Sequence, residues 1–353
     1  MVRFLVHRLL RVLLALWVIV SVIFLLSRTF APPPLPGNLA DGSLAVHTTT
    51  PAQRQAAEAE LRQRLGLDIP LFYFSRARLP EQGLGFRWQW NGARNQYHHW
   101  LGQMGQAQLG NSFRDGRPVL ELLGQSLRYT LPLTTGAALL TLGIAWLLAP
   151  RLARPSRLRT GLLTLLYVVD ALPLFVVALL LLLLLANPDA LAIFPSYGLG
   201  HEDVRAPWAQ RLQLLAAHLA LPVLALTLAS LPALLVQLTA ALNHELSADY
   251  VLTARAKGLP EALVIRRHAF RNALLPVLTL LTELLPSLVA GSVVVEMVFS
   301  LPGMGRLLAE AAAAHDYPVL LGGVLLIALV RILAQLLADW LYFQADPRIR
   351  LPV

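Results

Sequence analysis

Cysteine is absent from the chain. Disulfides, thiolate zinc sites and cysteine nucleophiles are therefore excluded. Charge is scarce as well. Asp, Glu, Lys and Arg make up 14% of the residues, against roughly 25% in an ordinary globular domain. A chain so poor in charge cannot easily clothe a fold in polar surface. Lysine occurs once, at Lys257, and Gly258 follows it. A phosphate-cradling P-loop needs Gly-Lys followed by Ser or Thr, so ATP hydrolysis by that route is excluded. His244-Glu245 and His201-Glu202 open like a zinc-protease helix, but Ala248 and Arg205 stand where the second histidine is required. No Gly-x-Ser-x-Gly elbow surrounds Ser112 or Ser126. No catalytic constellation is left, and the chain is not expected to be an enzyme.

Apolar sequence is what the chain has in excess. Hydrophobic residues make up 56% of its 353 residues, and the mean hydropathy is +0.60. A soluble chain of this length would form about two domains, but this composition points to a polytopic membrane protein. Six stretches are apolar enough to cross a bilayer: residues 9–26, 130–149, 160–186, 212–242, 275–299 and 319–343. The first has a basic flank like a signal peptide. Its length and the lack of a small-residue cleavage site identify it as an uncleaved span.

The formal net charge of +9 raises nucleic acid as a partner, until the arginines are located. Arg151, Arg154, Arg157 and Arg159 follow the second stretch. Arg255, Lys257, Arg266, Arg267 and Arg271 follow the fourth. The loops after the third and fifth are poorer, with Arg205 and Arg211 in one and Arg306 in the other. This bias predicts that both termini and the two basic loops face the cytoplasm, with the lipid bilayer, not nucleic acid, as the surrounding partner. The expected fold is an all-α polytopic membrane protein with six transmembrane helices. It comprises an N-terminal transmembrane helix in 1–28, a large extracytoplasmic segment over 29–128, a transmembrane core over 129–345 and a cytoplasmic tail at 346–353. The core carries a cytoplasmic loop at 243–275.

In the outer segment, residues 32–37 form a stiff proline-rich exit, and residues 51–65 predict a surface helix closed by Gly66. Trp88, Trp90, Tyr97, His98, His99 and Trp100 form an aromatic and histidine patch. It suits either interfacial anchoring or a cap that contacts a ligand. A histidine pair without a cysteine or carboxylate cluster nearby does not make a metal site.

The loop after the fourth stretch predicts two short helices joined at Gly258, a natural helix stop. Pro260 is expected to open the second helix at its first position, with Glu261 in the favourable N-terminal turn. Leu263, Phe270 and Leu274 fall on one side of that helix, with Arg266 and Arg267 elsewhere. Such an element either grips anionic lipid or docks on another protein. Asp170, Glu283 and Glu296 lie inside apolar stretches, where an ionisable group is costly and faces the bundle interior or a cavity. Either they are paired, with Arg331 for example, or they line a pathway or gate. Asp339 is expected to be a packing or interfacial residue.

Several ordered blocks resemble one family. Asp249-Tyr250-Val251, Thr253-Ala254-Arg255-Ala256-Lys257-Gly258-Leu259, Arg267-His268-Ala269 and Arg271-Asn272-Ala273-Leu274-Leu275-Pro276 resemble the EAA loop of ABC importer permeases of the dipeptide/oligopeptide/nickel group. Gly66-Leu67-Asp68 with Pro70-Leu71, Leu109-Gly110-Asn111-Ser112 with Pro118-Val119, and Glu296-Met297-Val298-Phe299 with Pro302-Gly303-Met304-Gly305 are similar to further blocks of that group. So are Asp316-Tyr317-Pro318 and residues 346–350. The segment from about 77 to 97 looks inserted.

The resemblance implies a type I ABC importer permease fold in a bacterial inner membrane. It also implies a homologous second permease subunit, cytoplasmic ATP-binding subunits and an extracytoplasmic substrate-binding protein. ATP and Mg would bind on the partner subunits, and this chain would hold no cofactor. Asp249, Tyr250, Ala254, Arg255, Ala256, Lys257, Gly258, Glu261, Arg267, His268, Arg271 and Asn272 would form the ATPase-coupling loop. Peptides, nickel or other small solutes would be the cargo. A proton-coupled secondary transporter working through Asp170 and Glu283 is the alternative that the residues leave open.

Overall fold

The computed structural model describes residues 10–11, 13–22, 24–25, 68–78, 86–106, 108–153, 157–195, 198 and 207–345. The proline-rich exit at 32–37, the surface helix expected at 51–65, Gly66-Leu67 and the tail at 346–353 lie outside the described residues. The chain divides into two compact units: Met1–Leu123 with Ala311–Leu326, and Gly124–Glu310 with Ile327–Val353.

The first unit begins with the apolar helix α1 (Leu13–Val22). Its outward side chains, Leu13, Leu14, Trp17, Val18, Ile19 and Val22, are exposed, which suits a helix bathed in lipid. Next come two strands, β1 (Phe74–Arg78) and β2 (Phe86–Trp90), paired antiparallel with Phe74 opposite Trp90 and Arg76 opposite Trp88. Residues 77–78 and 86–90 of the apparent insertion therefore lie in a two-stranded antiparallel sheet, an element that the all-α expectation lacks. Helix α2 (Gln96–Gly105) starts at Asn95, whose side chain accepts from the backbone N–H of His98. This is a standard N-cap.

Tyr97 is fully buried between Phe24, Phe72, Tyr73 and Trp100. Its hydroxyl hydrogen bonds with Ser21. The aromatic patch thus splits. Tyr97 is a core residue, whereas Trp88 and Trp90 remain 73% and 62% exposed. His98 hydrogen bonds with the Tyr73 hydroxyl at 3.1 Å. Among the described residues, no third His, Asp or Glu joins His98 and His99.

Long helices dominate the second unit. Helix α3 (Val119–Leu152) carries Pro132 and Pro150. After it come α4 (Arg157–Asp170) and α5 (Leu174–Leu181), the latter continued by a π-helical turn, Leu182–Ala186. Helix α6 (Trp208–Leu246) contains the buried Pro222 and Pro232. A short helix α7 (Asp249–Ala256) follows, then α8 (Glu261–Leu263), a π turn Val264–Ala269 and α9 (Phe270–Val298) in unbroken succession. Helices α10 (Met304–Ala313) and α11 (Tyr317–Ala345) close the chain.

Among the described residues, three helices are long and apolar enough to cross a membrane: Val119–Leu152, Trp208–Leu246 and Tyr317–Leu336. A fourth is broken. Arg159–Asp170 and Leu174–Ala186 meet at 106°, so residues 160–186 are not the straight span that their composition suggests. The break falls at Ala171-Leu172-Pro173. Proline has no N–H to donate, and it drives the preceding residue out of helical conformation.

The second helix of the 243–275 loop also differs from expectation. It is not short, because it runs directly into α9. Pro260 is its N-cap, in extended conformation, rather than its first helical residue. The expected stripe of Leu263, Phe270 and Leu274 is re-phased. Val264, Ile265, Ala269, Phe270 and Ala273 form the buried face, and Leu263 is left exposed. The π turn explains the shift, because i→i+5 bonding adds a residue to the turn and rotates everything that follows.

Candidate functional site

The loop 243–275 is built from the end of α6 through α7 to the start of α9. Helix α7 is only eight residues long, too short to hold alone. Val251 and Ala254 anchor it. Both are buried in one apolar cluster with Ala149 and Leu152 of α3, Leu166 of α4, Leu238 and Leu242 of α6, and Phe270 and Ala273 of α9. Residues of four other helices therefore share a single core with the short helix. The opposite face of α7 presents Leu252, Arg255, Ala256 and Lys257 to the outside.

Helix α7 stops at Gly258, which has φ of +75°. The N–H of Leu259 bonds to the carbonyl of Ala254 at 3.4 Å, and that of Gly258 to the carbonyl of Arg255 at 2.9 Å. This pair of bonds is a Schellman cap, in which a left-handed residue suits glycine. Arg255 spans the turn in a two-pronged pair with Glu261, at 3.0 Å from Nε and 2.7 Å from Nη2. That contact raises the guanidinium pKa above its ordinary value. On the other side, Tyr250 donates to Glu245 at 2.5 Å, and Asn272 bonds to the same hydroxyl. Burial, then the bond to Glu245, raises the Tyr250 pKa. Asp249 stands in the first turn of α7, where a negative charge meets the helix dipole favourably. Arg267 is exposed and His268 half-buried; the Arg271 side chain is outside those described.

A second constellation surrounds Glu296, which is fully buried near the end of α9. Its carboxylate accepts from the Thr130 hydroxyl at 2.7 Å and from the backbone N–H of Arg306 at 3.0 Å. The N–H of Gly305 and the Ser292 hydroxyl also reach it. Thr130 in turn accepts from the N–H of Met304 at 2.7 Å. The first turn of α10 thus has its orphan N–H groups satisfied by side chains from α3 and α9 rather than by its own cap residue. Gly303 stands at the cap position. A Cβ there would lie 2.3 Å from the Glu296 carboxyl carbon. Gly305 is equally constrained, since its Cβ would fall 2.4 Å from the Val293 Cα. The helix α10 is bound so closely to α9 that only glycine fits at either point.

The other two candidate acids do not join this cluster. Asp170 ends α4 at the 106° break and is exposed, and Glu283 is exposed on α9. Among the described residues, neither makes an ion pair with Arg331 or with any other group. In the first unit, an acid that composition alone does not flag is also buried. Asp316 accepts from the Ser112 hydroxyl and, at 3.1 Å, from the N–H of Phe113. It ties the loop before α3 to the start of α11. Ser112 and Asp316 both belong to recognisable sequence blocks, but nothing in either block says that they are partners.

Comparison with known proteins completes the picture. The family described as "Binding-protein-dependent transport system inner membrane component" matches residues 141–351. The oligopeptide transport system permease protein AppB of Bacillus subtilis (strain 168) is 36% identical over 257 residues, covering 72% of this chain and 79% of that protein. The dipeptide transport system permease protein DppB of Lactococcus lactis subsp. cremoris (strain MG1363) is 30% identical over 354 residues, 99% of this chain and 100% of the relative. DppB of Escherichia coli (strain K12) reaches 47% identity over 136 residues, 38% of this chain and 40% of that protein. These matches set aside the proton-coupled alternative. ATP hydrolysis resides on separate subunits, and a substrate-binding protein completes the system. The chain belongs to the binding-protein-dependent ABC importer permeases, as an inner-membrane transport component and not an enzyme.

Proposed function

We propose that the chain is one of a pair of homologous permease subunits that import peptides handed over by the binding protein. The relatives named above serve oligopeptide and dipeptide transport, which supports this substrate class. In this reading six helices cross the bilayer, with α4 and α5 together forming the third crossing. Both termini face the cytoplasm, and residues 29–128 lie outside.

The loop 243–275 docks on an ATP-binding subunit through the outer face of α7. One observation carries this part: α7 has Val251 and Ala254 in the core shared by α3, α4, α6 and α9, while Leu252, Arg255 and Lys257 are left outside. A push on such a helix reaches four membrane helices at once, which suits transmission of rigid-body motion. Asp249, Tyr250, Arg255 and Glu261 hold the shape of the loop. Ala256, Lys257, Gly258, Arg267, His268, Arg271 and Asn272 complete the coupling segment.

Asp170 and Glu283, exposed on membrane helices and without ion-pair partners among the described residues, face the pathway or the second permease. Glu296 acts by positioning α10. The test is Gly258→Asp in the complete transporter. Peptide uptake is expected to be lost with the protein still in the membrane and the ATPase no longer co-purifying. Uptake at the level of the unmodified transporter would sink the coupling assignment.

A further inference from the structure

A cavity of about 290 Å³ lies between the end of α3 and the segment that follows Gly258, lined by Pro150, Arg151, Ala262, Ile265 and Arg266. Its chemistry is two-sided. Pro150, Ala262 and Ile265 supply apolar wall, while Arg151 and Arg266 bring two guanidinium groups and no acid.

The two arginines differ from those that the fold engages in ion pairs. Arg117, Arg255 and Arg306 are each paired with a glutamate, at 2.7, 2.7 and 2.8 Å. Arg151 and Arg266 have no carboxylate partner among the described residues. One donor of Arg151 is held by the Leu147 carbonyl at 2.8 Å, which fixes the side chain along α3. The rest of its planar fork remains uncommitted. Glu261 is the nearest acid in sequence to the wall residue Ala262, and Arg255 already engages it.

The surroundings mark a bilayer boundary. One turn before the cavity, α3 exposes Trp146 and Leu147, and the Trp146 ring stands edge-on to Phe270 at 4.6 Å. An exposed tryptophan and leucine followed by arginine is the pattern of a helix end at the headgroup level. Guanidinium groups bind phosphate with paired N–H donors, and basic pockets beside membrane helices take anionic headgroups. A free inorganic anion would gain nothing from the apolar wall or from the lipid-facing Trp146 and Leu147.

The geometry points to a binding site for the phosphate of an anionic phospholipid, held by Arg151 and Arg266 against the apolar wall of the cavity. The bound headgroup bridges the end of α3 to the π turn that leads from the Gly258 turn into α9. The site needs only a headgroup at this level, so it does not depend on which leaflet this end faces.

The full chain, purified in mild detergent, is offered equal amounts of phosphatidylglycerol and phosphatidylcholine, and retained lipid is read by native mass spectrometry. Phosphatidylglycerol is expected to be retained in preference. The double variant R151Q/R266Q loses about tenfold or more of that preference, and R151K/R266K, which keeps the charge but not the paired donors, falls between the two. The single variants R151Q and R266Q, each checked for a monodisperse gel-filtration profile, lose part of the preference and so cover a double variant that fails to fold. Equal retention of phosphatidylglycerol by the unmodified chain and R151Q/R266Q would overturn the proposal. So would displacement of the lipid by inorganic phosphate at matched concentration, which would make this a simple anion site.

Discussion

Two Schellman turns in the second unit, one at Gly258 and one at Ser300, share one backbone device and differ in everything around it. Helix α7 ends in a Schellman cap at Gly258, and α9 ends in another at Ser300, where Leu301 bonds back to the Glu296 carbonyl at 2.9 Å. At Gly258 an added Cβ would meet nothing within 4 Å. Three residues after Ser300, a Cβ on Gly303 would strike the Glu296 carboxylate. The first turn needs glycine for its φ alone. The second does without glycine at its cap, and the glycine that follows it is required because a buried carboxylate presses on the backbone. An open turn at the surface leaves room for a partner, while a closed turn in the core has already used its space on its own chain. The two glycines fail in different ways when replaced.

The largest effect is expected in the closed turn. Gly303→Ala should cost about 3 kcal/mol through overpacking and loss of the buried carboxylate cap, read as lower thermal stability of the purified chain and less protein in the membrane. Glu296→Ala should approach the same loss, and Glu296→Gln, which keeps an acceptor for Thr130, should cost less than half as much. Equal damage by Ala and Gln would mean that charge, not hydrogen bonding, holds α10.

In the open turn, Gly258→Val should cost about 1–2 kcal/mol from the left-handed φ, and Gly258→Asn less, because asparagine tolerates that region. If the two nevertheless lose ATPase co-purification equally, the empty space beside Gly258 belongs to a partner. If Asn behaves like glycine, only φ matters there. The smallest effect is at Ser300, a non-glycine residue with φ of 54°. Ser300→Gly should leave uptake unchanged and stabilise the chain by up to about 1 kcal/mol in thermal unfolding. A destabilised variant would show that the serine side chain does more than occupy the cap.

Much of the membrane architecture was legible because a bilayer demands long apolar helices, and length and composition are local properties. Helices α3, α6 and α11 fall on three of the expected stretches. The Gly258 stop was legible for the same reason: a helix followed by Lys-Gly-Leu-Pro announces its own end. The bend at Pro173 was half legible, since proline marks a break but not its 106° angle. The stripe through Leu263 was misjudged because a π turn inserts extra residues without any composition signature. The role of Glu296 was out of reach, because its hydroxyl partner Thr130 lies 166 residues away. A single apolar stretch with an acid inside cannot say whether that acid faces a pathway or caps a neighbouring helix.

By itself the sequence determined the class of protein, the rough position of its apolar helices, the family and the place of the turn at Gly258. Each of these is written in neighbouring residues, through hydropathy, helix stops and ordered blocks. Only the tertiary structure decided which charges are spent and which are free. Glu296 and Asp316 are buried and satisfied, Arg255 is paired across its turn, and Arg151 and Arg266 stand beside a cavity without an acid. The physical reason is that a charge is defined by its partners, and chain folding brings those partners from far along the sequence.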